Sequence, residues 1–215
     1  MAKQLDLDAQ APLCAVAAVA TVSPYALPID QARDAARAAL VAKGVLPDLY
    51  SVKDVLVSAP GRLLKLRLYR PAEGSLPIGL FLHGEGWTLN DLDTHDRLCR
   101  LIARRSGWLL ASLEYRHSPE NKYPAALEDA YFGYRWLLDN AMSINGDARC
   151  RAIIGESSGG TMAARACYCC CAMSARRCLR IRFWHTQRPT CAIAGHPIRN
   201  ADMAIFSIVN CCTGF

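Results

Sequence analysis

The chain has no apolar run long enough to cross a membrane as a helix. Its apolar stretch from Ala11 to Val22 is preceded by Asp6 and Asp8, where a secretory leader carries positive charge. That stretch therefore reads as an N-terminal helix or lid segment. Cysteine is sparse through the first 165 residues, which hold only Cys14, Cys99 and Cys150. Such spacing offers no disulfide framework and suits a reducing, cytoplasmic setting. No internal repeat occurs, and no basic stripe with interleaved aromatics, so the arginines do not describe a nucleic-acid surface. Lysine and glutamate vanish after residue 165. Residues 166–215 hold six arginines, one acid (Asp202) and eight cysteines. Taking six from the 25 basic residues and one from the 19 acidic ones leaves 19 against 18 in the first 165. The net charge of +6 thus belongs almost entirely to the tail.

What is present before residue 165 alternates between two periodicities. Asp30 to Lys43 is alanine-rich, has an acid at its start and Gly44 just beyond, and predicts a helix. Val52–Ser58 and Leu63–Tyr69 alternate apolar and polar residues around Pro60-Gly61, which predicts a hairpin. Ile78–Leu82 and Trp108–Leu113 are apolar throughout and suit strands covered on both faces. Between them Leu98, Leu101 and Ile102 share a helical face that ends in Arg104, Arg105 and Gly107. A further helix opens at Pro124, with Glu128 and Asp129 just inside and Leu127, Ala130, Tyr131, Tyr134 and Leu138 at helical spacing. Strands alternating with helices in this way predict an α/β fold with a largely parallel sheet and helices on both faces.

The stretch Arg151 to Gly160 is an apolar strand, a glycine-bounded turn and a helix start. Gly155-Glu156-Ser157-Ser158-Gly159 fits G-x-S-x-G, the nucleophile elbow. A serine that attacks a carbonyl must stand clear of its backbone, and the turn that achieves this is crowded, so its flanks must be small. The following helix aims unpaired N–H groups and a positive dipole end at a developing oxyanion. The pentapeptide alone also fits an ordinary strand–turn–helix.

Several segments together extend the pattern: His83-Gly84-Glu85-Gly86-Trp87, then Asp91-Leu92-Asp93-Thr94-His95-Asp96, then Tyr115-Arg116-His117-Ser118-Pro119-Glu120, then Tyr123-Pro124-Ala125-Ala126-Leu127-Glu128-Asp129-Ala130, then Gly155 to Gly160. In order and spacing they resemble the alpha/beta hydrolases of the hormone-sensitive-lipase-like group (alpha/beta hydrolase fold-3), which includes bacterial acetyl esterases. The family's counterparts are HGGGW, YRLAPE and GDSAGG. The resemblance is firm from about residue 78 to 164 and reaches back to about residue 30. It implies an incomplete alpha/beta-hydrolase core over 51–165, an N-terminal cap or lid over 1–50, and an atypical tail over 166–215 outside that fold. It implies a carboxylic-ester hydrolase working through a serine acyl-enzyme on a small-molecule ester, with no cofactor, metal or nucleic acid. Ser157 would be the nucleophile, and Glu85, Gly86 and Ser158 would give N–H groups to the oxyanion hole. His83, Gly84, Trp87, Gly155, Gly159 and Gly160 complete the motifs. Glu85 stands where the family prefers glycine and would bring a carboxylate near the oxyanion. His117 replaces an apolar family position and reads as a surface group.

The serine needs a histidine base and an acid, which in this fold follow it in the order acid, then histidine. Only 58 residues follow Ser157, and there Asp202 comes after both His185 and His196. The expected chain therefore has the nucleophile without its base, and residual activity near background. The tail carries little periodicity and reads as a shifted frame or alternative ending. Metal binding is the sharper alternative for it, with Cys167 and Cys170 at C-x-x-C spacing and Cys178, His185, Cys191 and His196 downstream. Without later strands, the last strand of the core would be a raw edge unless the tail covers it.

Overall fold

The computed structural model describes residues 27–41, 44–84, 86–174, 180–183 and 206–210. Helix α1 (Ile29–Leu40) is followed by the strands β1 (Ser51–Ala59), β2 (Arg62–Arg70) and β3 (Leu76–Leu82). Helix α2 (Asp96–Ser106) leads to β4 (Leu109–Glu114), and helix α3 (Ala125–Asp139) to a 3-10 turn at Met142–Ile144 and to β5 (Gly146–Glu156). Helix α4 (Ser157–Ser174) and the strands β6 (Arg180–Phe183) and β7 (Phe206–Asn210) complete the order. Apart from the Ala11–Val22 segment, which lies outside the described residues, the expected helices and strands occur within a few residues of their predicted bounds. Lys43, the predicted end of the first helix, lies outside the described residues.

The strands form one seven-stranded sheet in the order β1-β2-β4-β3-β5-β7-β6. Its centre is parallel: β4 and β5 flank β3. The remaining pairs are antiparallel, so the sheet is mixed rather than mostly parallel. The hairpin accounts for one edge, because Gly61 at φ 72° closes the tight turn between β1 and β2. The other edge departs from expectation. Helix α4 runs nine residues past the predicted break at 165, to Ser174. β7 then pairs along β5 from Glu156–Phe206 to Ala152–Asn210. The last parallel strand is therefore covered by tail backbone, which satisfies its hydrogen-bonding edge.

Period-2 alternation divides the sheet's apolar side chains between two faces. Leu64, Leu66, Leu68, Ile78, Leu80, Leu82, Leu109, Leu113 and Ile153 pack on one face with Ala130, Tyr134 and Leu137 of α3 and Met162, Ala163 and Ala166 of α4. Tyr69, Phe81, Leu110, Ala152 and Ile154 face the other way, onto Cys99 and Ala103 of α2. The first crossover runs from β3 to β4 and the second runs the opposite way, from β4 back past β3 to β5, so right-handed connections place α2 and α3 on opposite faces. Each of the fully buried leucines contributes on the order of 2 kcal/mol of transfer free energy. Gly107 ends α2 in the left-handed region (φ 73°), and its N–H bonds the Ala103 carbonyl at 2.9 Å. Cys99 sits fully buried, and burial pushes its thiol up to about 12, which leaves it chemically quiet.

One buried carboxylate ties the hairpin, the β4 loop and α3 together. Asp129 is wholly enclosed. It accepts from Arg62 Nε at 2.7 Å, from the Arg116 backbone N–H at 2.9 Å, and from the Arg116 guanidinium at 2.9–3.1 Å. Both arginines are themselves partly exposed, so they can reach water if the carboxylate is lost. Asp129→Ala is expected to lower stability by about 2–4 kcal/mol, read as a fall in the urea midpoint at unchanged m-value.

Candidate active site at the beta5 to alpha4 elbow

The C-terminal ends of β3, β4 and β5 lie side by side, where the strand order switches direction and α/β sheets place their ligand crevices. Ser157 stands at the end of β5 as the first residue of α4. It is exposed and holds φ 48°, a left-handed conformation that a non-glycine residue adopts at a cost. The neighbours explain the small residues around it. A Cβ on Gly155 would collide with the Gly159 carbonyl and come within 2.7 Å of the Gly160 nitrogen. A Cβ on Gly159 would collide with the Leu82 and His83 carbonyls. A Cβ on Gly84 would lie 3.0 Å from the Glu156 carbonyl and 3.2 Å from Ser157 Cβ. Helix α4 thus starts directly against the end of β3, and the glycine motif touches the elbow. Ser158, buried, is the second residue of α4, so its N–H belongs to the first turn that has no partner within the helix. Gly86, exposed at φ 66°, and Trp87, at φ 60° and 40% exposed, form the turn beyond. Glu85 lies outside the described residues.

A polar layer holds this junction. Glu156 Oε1 lies 2.6 Å from His95 Nε2 and accepts the Gly84 N–H at 3.2 Å. Burial raises the Glu156 carboxyl, but the hydrogen bond and charge of His95 and the Gly84 N–H outweigh it and leave the group below the usual range. His95 is placed by the turn before it. Asp91 Oδ1 accepts the N–H groups of Asp93 and Thr94 at 2.9 Å, an Asx turn, and Thr94 Oγ1 lies 3.1 Å from His95 Nδ1. Helix α1 is pinned over the same loops. Arg33 donates to the carbonyls of Thr88 (2.9 Å) and Ser118 (3.0 Å) and to Glu120 (2.8 Å), while Arg37 bonds Asp91 and Asp93.

Beneath the glycine motif, His83 is fully buried and stacks on Tyr115, with ring centroids 4.3 Å apart. Tyr115 donates its hydroxyl to the His83 carbonyl at 2.9 Å. His117 is set edge-on to both rings, at 5.5 Å from His83 and 5.0 Å from Tyr115. The surface position expected of His117 is therefore corrected: its ring is half-buried, because the β4 loop turns back under the end of β3. Burial, with Arg33 nearby, lowers His117 to about 4, and burial with the neighbouring histidines pushes His83 well below its ordinary value.

The sequence singled out Ser157, Ser158, Gly84, Gly86 and the elbow glycines; the end of β3 packs Gly84 against Ser157 and Gly159 against Leu82 and His83, while Gly86 lies in the turn beyond. The sequence assigned no part to His95 or Glu156, although a charged residue inside so tight a turn demands a partner. No described histidine hydrogen-bonds Ser157, since His95 has both ring nitrogens engaged by Thr94 and Glu156. His185, His196 and Asp202 lie outside the described residues. A cleft of about 320 Å³ opens beside the first turns of α4, lined by Trp87, Tyr123, Leu127, Thr161, Met162 and Arg165.

Two measurements follow from this packing. Gly159→Ala, which drives a Cβ into immobile backbone, is expected to cost about 3 kcal/mol or more. Gly86→Ala, with open space around it, should cost only about 1 kcal/mol for its left-handed φ. Equal losses in paired denaturant titrations would contradict this difference. Because the folded-state pKa of Glu156 is depressed, its contribution is full above the unfolded carboxylate value of about 4.3 and disappears as pH falls through the lower folded value. The stability gap between the natural chain and Glu156→Gln should accordingly shrink as pH falls below about 4.3, measured by urea unfolding at each pH.

Comparison with known proteins agrees with this geometry. The model of a family described as the alpha/beta hydrolase fold matches residues 79–203, beyond the limit near 164 read from the motifs. A carboxylic ester hydrolase of Mycobacterium tuberculosis, LipN, is 42% identical over 118 residues, covering 54% of this chain and 31% of its own length. The esterase LipI of the same organism is 36% identical over 148 residues, 66% of this chain and 46% of its own. The chain thus spans a third to a half of the length of these curated relatives. Among solved structures, a thermostable esterase from Pseudomonas putida superposes with TM-score 0.75 at 30% identity, covering 82% of this chain and 56% of that one. An esterase from the archaeon Pyrobaculum calidifontis gives TM-score 0.73 at 29% identity, with coverages of 80% and 56%. With an elbow serine packed on a glycine motif and a family match over more than half its length, this chain belongs to the alpha/beta hydrolase fold family.

Proposed function

We propose that this chain carries the nucleophile half of a carboxylic-ester hydrolase site. Ser157 Oγ attacks the ester carbonyl to give an acyl-enzyme, the alcohol leaves, and water then releases the acid. The observation that carries the reading is Ser157 itself: exposed, at φ 48°, on the strand–helix junction and in contact range of Gly84. The tetrahedral oxyanion would be met by the N–H of Ser158 at the start of α4 and by those of Glu85 and Gly86. The cleft beside α4, at the small end of ligand-site volumes, suits a short acyl or alcohol group, in keeping with a relative named ethyl acetate hydrolase. Helix α1, held by Arg33 and Arg37, would belong to a cap over that cleft.

Turnover needs a base to take the Ser157 proton, and none of the described histidines bonds that hydroxyl. General-base assistance is worth roughly 10²–10⁴-fold, and a whole triad more because its members act as a unit. The reading for the 215-residue chain is therefore a presented nucleophile with turnover near background. The alternative, a hydrolase-like chain with no catalytic part at all, differs in one respect: Ser157 would not react even with an activated acylating agent.

The test uses the purified chain with a short-chain p-nitrophenyl ester and a fluorophosphonate probe. Slow labelling that disappears in Ser157→Ala, with ester hydrolysis unchanged by that substitution, is the expected result. Fast hydrolysis abolished by Ser157→Ala would mean that a base is supplied, and His185→Ala and His196→Ala would identify it. Absence of labelling would favour the non-catalytic alternative.

A further inference from the structure

The ends of β3 and β4 bring together three metal-ligating side chains, of which His83 opens the glycine motif and Glu114 and His117 belong to neither that motif nor the elbow. His83 follows β3 directly, Glu114 ends β4, and His117 lies on the loop after β4. Since β3 and β4 are parallel neighbours, all three emerge at the same edge of the sheet. One donor atom from each lies within 4.8 Å of the other two. Nε2 of both His83 and His117 is enclosed and has no hydrogen-bond partner. Leaving two buried imidazole nitrogens unpaired is costly unless something occupies the space between them.

The hydrogen bonds around His83 fix which nitrogen is available. The Tyr115 hydroxyl spends its proton on the His83 carbonyl. Nδ1 of His83, 3.2 Å from both the Tyr115 hydroxyl and the Gly84 carbonyl, must then be the protonated nitrogen. Nε2, enclosed and without a hydrogen-bond partner, is left with its lone pair free, which is the tautomer a metal ligand requires, with the second nitrogen oriented by backbone. Glu114 receives the Leu92 N–H on Oε2 at 3.3 Å, which leaves Oε1 unengaged by any hydrogen bond among the described residues. An approach route exists as well. A cleft of about 570 Å³ under α1 is lined by Glu114 and His117, with Asp30, Asp34, Asp91 and Glu120 and the guanidinium groups of Arg33 and Arg37 around it. Both cations are paired, Arg33 with Glu120 and Arg37 with Asp91 and Asp93.

We propose that His83, Glu114 and His117 form a binding site for a divalent transition-metal ion of the zinc type, held by two neutral imidazoles and one carboxylate. Two nitrogens and one oxygen suit Zn²⁺ or Co²⁺ better than Mg²⁺ or Ca²⁺, which take oxygen ligands. Coordination at roughly 2.0–2.2 Å draws the three donors closer than they stand without the ion and leaves a fourth position open to the cleft. The ion clamps the start of the glycine motif to the end of β4. This site does not depend on any reaction at Ser157.

Titration of the intact chain with Co²⁺, followed by absorption, separates this site from the thiols of the tail. Visible d–d bands without the near-ultraviolet thiolate charge-transfer band report imidazole and carboxylate ligation. One equivalent of Co²⁺ with those bands, displaced by Zn²⁺, is expected in the natural chain. His117→Leu should abolish that equivalent, and Glu114→Gln, which keeps the Leu92 contact, should weaken it by more than about tenfold, the least that even an outer-shell partner contributes. Any thiolate-linked uptake should be the same in all three proteins, each checked for a native circular dichroism spectrum. Uptake confined to thiolates, or titrations identical in the natural chain and His117→Leu, would overturn the proposal.

Discussion

The first turn of α4 lies on the carbonyls of Leu82 and His83, with no room at Gly159 for even a methyl group. This contact sets the distance between the helix and the end of β3, and so the level at which Ser157 emerges. It also forces β5 and β3 into register from Ile78–Arg151 to Leu82–Gly155. The backbone strain at Ser157 is sustained because both sides of the turn are fixed: by sheet hydrogen bonds before it and by this close helix contact after it. Local preference would not choose such a turn, and only the packed surroundings hold it.

Charge organises the layer around that contact. Glu156 reaches sideways to His95 and Gly84, so the elbow is tied to the glycine motif and, through Thr94 and Asp91, to the loop beneath α1. Arg37 extends the chain of contacts to α1, and Arg33 joins the same helix to Thr88 and the 118–120 loop. The five motif stretches of the sequence are therefore not five separate devices. Four of them meet in one polar seam along the C-terminal ends of the central strands, and the fourth in order, through Asp129, forms a second seam with Arg62 and Arg116.

The tail changes the meaning of the sheet's far edge. The strand β7 lies against β5 antiparallel, where a continued α/β pattern would bring another parallel strand. A backbone edge accepts either direction, because the ladder needs only N–H and C=O groups at the right spacing. Covering β5 thus requires little of the tail's composition, which is why a segment with weak periodicity can still join the sheet.

The alternation of apolar strands with amphipathic helices, the Pro60-Gly61 turn, the Gly107 stop and the G-x-S-x-G turn are local properties, and they sufficed to outline the α/β core and its serine. Short-range sterics and solvent contrast act within a few residues, so they leave a readable pattern. Partners distant in sequence left none. The pairing of His95 with Glu156 spans 61 residues, and the meeting of His83 with Glu114 and His117 depends on two strands lying parallel. Composition likewise could not say that 206–210 would pair with β5. The sequence determined which segments form elements and where the backbone must be small; the tertiary structure decided which polar groups meet, because that depends on strand order and on the burial that only the assembled sheet creates.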